Sequence, residues 1–434
     1  MQREVRMTTT MFIHNISQLW TPQGFQASRG IAMRQVRKIT NACILVRNGT
    51  LAWVGSLDEL SKAHQDPAHP LHAIASEAFA APAFDAAGRC CVPGFVDSHT
   101  HFVFAGWRED EFFWRAEGLP YMELHRRGGG IQNSVRATRA ASEDALVELG
   151  RKRIRTMLAL GITTVECKSG YGLDRDTELR QLRAIKKLAE EEPVTIVPTF
   201  LGAHSIPPEF AGRPRAYLEF LATEVLPAVR EEGLAQFVDI FCEKGVFELE
   251  DTRWYLEQAQ AMGFALKLHA DEIAPLGGAG LAASLGAVSA DHLLKASDED
   301  IAAMAAAGTI AGLLPLTAFS LREPYARARA FLDAGCAVAL ASDLNPGSCY
   351  SQSVPLIFAL AVLYLGMGIE EALTALTLNG AASLGLADRV GTLETGKYAD
   401  FVLLDAPSPG HLAYHVGMNL VSSVWKQGNM VWHV

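Results

Sequence analysis

Between residues 91 and 391 the chain alternates short apolar runs with longer amphipathic ones, and nothing else in it restricts the possible folds as strongly. The strand-length runs are Cys91–Ser98, Thr163–Cys167, Thr195–Leu201, Phe237–Phe241, Ala265–Leu268, Ala287–Ala290, Thr309–Leu314 and Ala337–Ala341. Helical runs lie between them, among them Glu143–Leu160, Thr177–Glu190, Tyr217–Glu232, Asp251–Met262 and Asp298–Ala307. Ser297-Asp298-Glu299-Asp300 has capping-box spacing at the start of the last. Gly161, Gly263, Gly308 and Gly335 stand where a left-handed C-cap favours glycine. Eight strands alternating with helices predict a parallel (β/α)8 barrel.

The two ends read differently. Cys43–Val46 and Leu51–Val54 flank Asn48-Gly49, a strong hairpin signal. Near the C-terminus, Asp400–Leu404 and Leu420–Trp425 are strand candidates, and Gln427-Gly428-Asn429 turns the chain into Met430–Trp432. Neither end supplies enough strands for a stable sheet by itself. Residues 1–90 and 392–434 are therefore expected to pair as one small β-sandwich. The fold class is α/β: a (β/α)8 TIM-type barrel, residues 91–391, inserted in that sandwich.

The formal net charge of −10 argues against a nucleic-acid surface. The seven cysteines form no CxxC pair and sit mostly in apolar contexts, as expected of reduced thiols in the cytoplasm. No secretory signal is evident, and Met7 is an alternative start to Met1. The longest apolar run, Val354–Met367, is too short to span a bilayer and contains Pro355, so it reads as a buried helix and no membrane partner is expected.

In a barrel of this kind the active site lies at the C-terminal ends of the strands. Strand one ends in His99-Thr100-His101, whose alternate residues point to one face. Strand five leads into His269, Asp271 and Glu272, strand six into Asp291 and His292, and strand eight into Asp343. Strand two runs into Lys168-Ser169-Gly170-Tyr171, and strand three into His204. His99, His101, His269 and Asp343 together suit a divalent transition metal. Such an ion lowers the pKa of bound water to roughly 7 and polarises a carbonyl oxygen. Glu272 and His292 are placed to move protons, and Arg108 is a candidate fork for a substrate carboxylate.

PGFVDSHTH (Pro93–His101), the later His and Asp, and Gly396–Val402 resemble the amidohydrolase superfamily. Within it the chain is similar to the imidazolonepropionase family, through His99–Phe112, Glu166–Leu173, Thr199–Phe210 and Leu340–Pro355. The resemblance spans nearly the whole chain. It implies metal-dependent hydrolytic opening of 4-imidazolone-5-propanoate to N-formimidoyl-L-glutamate in histidine degradation. It further implies one metal per subunit, zinc or iron, held by His99, His101, His269 and Asp343. Glu272, His292 and Asp343 fall on catalytic positions. Arg108, Tyr121, Tyr171, His204, Glu272, Asn345, Gly347 and Ser348 fall on substrate-binding positions. Many amidohydrolases hold two metals bridged by a carboxylated lysine after strand four; here Lys244 is near that place. A homodimer is expected from the resemblance alone. The same ligands would also serve a mononuclear aminohydrolase acting on another nitrogen heterocycle, which would not need Arg108.

Overall fold

The computed structural model describes residues 9–118 and 129–434. The N-terminal part supplies strands β1 (Thr10–Pro22), β2 (Val36–Arg47), β3 (Thr50–Ser56), β4 (Ala83–Asp85) and β5 (Cys90–Pro93). Next come β6 (Phe95–Asp97), β7 (Ile162–Lys168), β8 (Thr195–Ala203) and β9 (Phe237–Cys242). They are followed by β10 (Ala265–Ala270), β11 (Ser289–His292), β12 (Ile310–Leu313) and β13 (Val338–Leu340). The C-terminal part adds β14 (Phe401–Leu404), β15 (Val421–Lys426) and β16 (Asn429–His433).

Strands β6 to β13 form one parallel sheet in chain order, the eight-stranded barrel expected from the alternation. Its seam lies between the first and last strands. There the His101 N–H donates to Leu344 O at 2.9 Å, and the Asp343 N–H donates to His99 O at 3.0 Å. Ser342 donates to both carboxylate oxygens of Asp97, its N–H at 2.9 Å and its hydroxyl at 2.6 Å. The segments that close the barrel thus carry three of the expected ligands.

The two chain ends share the other sheet, in the order β16-β15-β14-β5-β1-β2-β3, with β4 also on β1. They join where β14 runs antiparallel to β5. Ile13, Ile44 and Val46 from one end pack in a common core with Phe401, Leu403 and Trp425 from the other. Asn48 (φ 51°) and Gly49 (φ 79°) make the expected tight turn between β2 and β3, both in the left-handed region that a type I′ hairpin needs.

Two elements differ from the sequence reading. The run Cys91–Ser98 is divided at Gly94: β5 belongs to the terminal sheet and β6 to the barrel. Gly94 donates to Asp400 O and Phe95 to Gly161 O, so the chain passes from one sheet to the other within two residues. A Cβ on Gly94 would overlap the Thr163 side chain, which explains glycine at this crossing. The helical run Tyr217–Glu232 is instead a helix Pro214–Phe220, a π turn Leu221–Val225 and a helix Leu226–Glu231. Pro227 has no N–H to give the preceding turn, and a π bulge absorbs the lost bond.

The capping box forms at Asp298–Ala307, and Gly308 (φ 84°) ends that helix in the left-handed region. The apolar run folds as the helix Val354–Leu363, with Pro355 in its first turn. Among the described residues no helix is long and apolar enough to cross a membrane. All seven cysteines are buried and unbridged.

Candidate metal centre

Strand periodicity builds the site. Residues two apart share a face, and the barrel strands place charged or polar residues at such steps: Asp97 and His99, Glu166 and Lys168, Lys267 and His269. All six are essentially buried. His99, His101 and His269 each offer a ring nitrogen, and the three atoms lie within 4.8 Å of one another. His99, His292 and Asp343 form a second such group, sharing His99. Asp343 Oδ1 lies 3.6 Å from His99 Nε2 and 3.5 Å from His101 Nε2. The sequence-predicted ligands therefore converge.

The donor set fits a cation. The Nε2 atoms of His99 and His269 are buried without a hydrogen-bond partner, an arrangement that is costly for polar atoms unless something binds them. Their opposite nitrogens face carboxylates: His99 Nδ1 lies 2.7 Å from Asp291 Oδ2, and His269 Nδ1 lies 3.0 Å from Asp239 Oδ2. Carboxylates in that position fix the ring and raise the basicity of the free nitrogen. Thr317 donates to Asp343 Oδ2 at 2.7 Å, leaving Oδ1 toward the imidazoles. Burial holds His99 and His101 well below the usual histidine range, so both present neutral rings.

The rim is held in an uncommon backbone conformation. Asp271 (φ 50°), His292 (φ 76°), Leu293 (φ 60°) and Asp343 (φ 52°) all occupy the left-handed region. Such positions cost about 1–3 kcal/mol each and cluster at functional sites. The loop bearing Glu272 is clamped on both sides. Asp271 accepts N–H groups from Leu276, Gly277, Gly278 and Ala279, while Glu243 accepts those of Ile273 and Ala274. Glu272 Oε1 comes to 3.6 Å from His292 Nδ1. Burial, reinforced by Asp343, raises the Glu272 carboxyl to about 8, and burial lowers His292 to about 3.

Tyr171 and His204 join the same cluster. His204 stacks on His101 with ring centroids 5.0 Å apart, and Tyr171 lies 5.3 Å from His204 and 6.0 Å from His101. The Tyr171 loop is shaped by buried Glu178, which accepts the N–H groups of Gly170, Gly172 and Leu173 at 3.0, 2.7 and 2.9 Å. Gly170 has φ 107°, and a Cβ there would stand 2.6 Å from Leu201 O, so only glycine fits.

Arg108 is less open than its sequence suggests. Its Nε and Nη2 donate to the two carboxylate oxygens of Glu111 at 2.9 and 2.7 Å, leaving Nη1 against Gly347. Asn345 folds its own turn. It donates to Asp343 O and Ser348 Oγ and accepts the N–H groups of Gly347 and Ser348. Arg108 is near enough to Tyr171 to oppose the effect of burial, which raises that phenol. Tyr121 lies outside the described residues. Lys244 is exposed in the turn after β9, whereas the buried acidic residue of that strand is Asp239.

Sequence reasoning gave no role to Lys168, Glu166, Asp239, Asp291 or Thr317. For the first four the signal was present as charged residues at alternate positions of otherwise apolar strands; Thr317, on the helix Pro315–Leu321, carried none.

The amidohydrolase family model matches residues 91–431. The chain is 51% identical over 427 residues to an imidazolonepropionase of Porphyromonas gingivalis, covering 98% of each chain. It is 49% identical to an imidazolonepropionase of Clostridium tetani, covering 97% of this chain and 98% of the relative. In fold it is similar to an adenosine deaminase from Xanthomonas campestris with bound zinc (TM-score 0.69, 18% identity, 97% of this chain and 92% of the other). It is likewise similar to 5-methylcytosine deaminase from Klebsiella pneumoniae (TM-score 0.70, 17% identity, 98% of each). The deaminase identities are low and speak to architecture alone, whereas the first two relatives match at half of all positions along nearly the full chain. The chain belongs to the amidohydrolase family and, within it, to the imidazolonepropionases.

Proposed function

We propose that this chain hydrolyses 4-imidazolone-5-propanoate to N-formimidoyl-L-glutamate, the ring-opening step of histidine degradation. The observation that carries this reading is 51% identity over 98% of the chain to an imidazolonepropionase. His99, His101, His269 and Asp343 would hold one divalent cation, zinc or iron. When bound, the cation supplies Lewis acidity, lowering the pKa of water and polarising a carbonyl oxygen.

The chain's own groups do the rest. In the reaction the water oxygen bonds to the ring carbonyl carbon, the amide C–N bond breaks, and the departing nitrogen takes up a proton. Glu272 and His292, 3.6 Å apart, handle that proton traffic and orient the water. Tyr171 and His204 wall the pocket beside His101. Arg108, with the Asn345–Ser348 turn against it, receives the propanoate. Glu111 holds the guanidinium in place for this, and the remaining Nη1 faces Gly347. Tyr121 is assigned a substrate contact on the resemblance. The terminal strands β1 to β5 and β14 to β16 form the smaller unit, and the barrel begins at β6, so the boundary falls at Gly94 rather than before Cys91. The enzyme works as a homodimer in the cytoplasm, a reading supported by the family resemblance and by the unbridged cysteines.

The test is an ultraviolet assay of imidazolonepropanoate loss, with metal analysis of the purified protein. About one zinc or iron per chain is expected, with activity lost on chelation and restored by the ion. A metal-free preparation that still opens the ring would refute the reading. Arg108→Ala separates this substrate from a neutral heterocycle. Losing a charge-assisted carboxylate contact should raise KM about tenfold or more, with a smaller change in kcat. An unchanged KM counts against a carboxylate-bearing substrate.

A further inference from the structure

Beneath the proposed ligands the barrel interior holds a buried ammonium that the mechanism above does not use. Lys168 is fully buried, and its Nζ reaches Asp239 Oδ2 at 2.8 Å, Glu166 Oε2 at 2.9 Å and Asp291 Oδ2 at 4.0 Å. Two of these oxygens have a second partner. Asp239 Oδ2 is the atom that faces His269 Nδ1 at 3.0 Å, and Asp291 Oδ2 is the atom that faces His99 Nδ1 at 2.7 Å. We propose that Lys168 is a positioning residue for the metal centre: one ammonium holds the carboxylates of Asp239 and Asp291, which in turn orient His269 and His99. This rests on the reading of those two histidines as ligands.

The physical reason is a chain of rotations. An imidazole can turn about its Cβ–Cγ bond unless the nitrogen remote from the metal is tied. The carboxylate that ties it can turn as well unless its oxygens are fixed. Asp239 Oδ1 is fixed by the N–H groups of Ile240 (2.7 Å) and His269 (3.1 Å), and Lys168 fixes Oδ2. The ligands come from β10 and from the segment after β6, and the orienting carboxylates come from β9 and β11. Lys168, at the end of β7, bonds Asp239 and stands 4.0 Å from Asp291, and so bears on the orientation of both rings from one place.

The neighbouring Lys267, equally buried, donates instead to Ser98 O at 3.1 Å and Glu166 Oε1 at 3.0 Å, neither of which faces a ligand ring.

The experiment measures zinc affinity by competition with a chromogenic chelator for the wild-type chain, Lys168→Met, Lys168→Gln and Lys397→Met. Lys397 is a buried lysine elsewhere, donating to Gly24 O and Ala387 O, and it controls for the loss of any buried ammonium. Loss of an outer-shell partner of this kind weakens metal binding about 10–100-fold. That range is expected for Lys168→Met, a smaller loss for Lys168→Gln, which keeps an N–H donor, and a Kd within about twofold of wild type for Lys397→Met. Folded Lys168 variants that bind zinc as the wild type does overturn the inference. If both variants fail to fold, the wild-type chain labelled with 15N at lysine decides. The Lys168 ammonium should exchange slowly and its signal should move when zinc is added, and a set of buried ammonium signals in which none moves also overturns it. A wild-type chain that binds no zinc and opens no ring would instead mean that the site reading itself has failed.

Discussion

Asp343→Asn is expected to lower kcat/KM for ring opening by roughly 10³-fold or more, because the change removes an anionic ligand from a centre supplying several kcal/mol of catalysis. The substitution is chosen to spare the fold. Asp343 has φ 52°, a conformation that asparagine tolerates about as well as aspartate. The backbone bond from its N–H to His99 O, which helps close the barrel seam, does not involve the side chain. The Thr317 hydroxyl, now donating to Oδ2, can still donate to an amide oxygen. Melting temperature should therefore change little while metal content falls below one per chain. A variant that keeps full metal and activity within tenfold of wild type would remove Asp343 from the ligand set.

Glu272→Gln tests the proton path with the metal centre left whole. Glu272 is no part of the ligand cluster, and its carboxylate faces His292 at 3.6 Å. Glutamine has nearly the same shape and keeps an acceptor, but it cannot exchange a proton. A positioned acid or base contributes about 10²–10⁴-fold, so kcat should fall by that factor. Metal content should stay near that of the wild type, and KM should move less than kcat. The clamps around the loop, from Asp271 and Glu243 to backbone N–H groups, do not include the Glu272 side chain, so the loop should hold its shape. A kcat within threefold of wild type would assign the proton work to His292 or to solvent.

The interior that supports these residues is unusual for a barrel core. Glu166, Lys168, Asp239, Lys267 and Asp291 are all buried and mutually paired. Buried ion pairs seldom add net stability against an apolar core of the same volume. Burial lowers the Lys168 ammonium, but Asp239, Glu166 and Asp291 more than offset it and hold the group above the ordinary lysine range. The arrangement is better understood as positioning imidazoles than as holding the barrel together.

Much of the site was legible in the sequence, for a definite reason. Strand periodicity sets which face a residue occupies, so His99 and His101 share a face whatever surrounds them. A barrel then gathers strand ends onto one rim, which predicts that His269, His292 and Asp343 converge with them. Other features depend on contacts between strands, which periodicity does not encode. Nothing in the run Phe237–Phe241 says that Asp239 meets Lys168, 71 positions earlier. Nor does the sequence show that Asn345 uses its amide to build its own turn. The division of Cys91–Ser98 at Gly94 is of the same kind, because one apolar run satisfies either sheet until the Thr163 side chain and the Asp400 carbonyl fix where each begins. The sequence by itself thus determined the face, order and chemistry of the proposed ligands. The tertiary structure decided their partners, because a partner is set by which strands lie side by side and at what register.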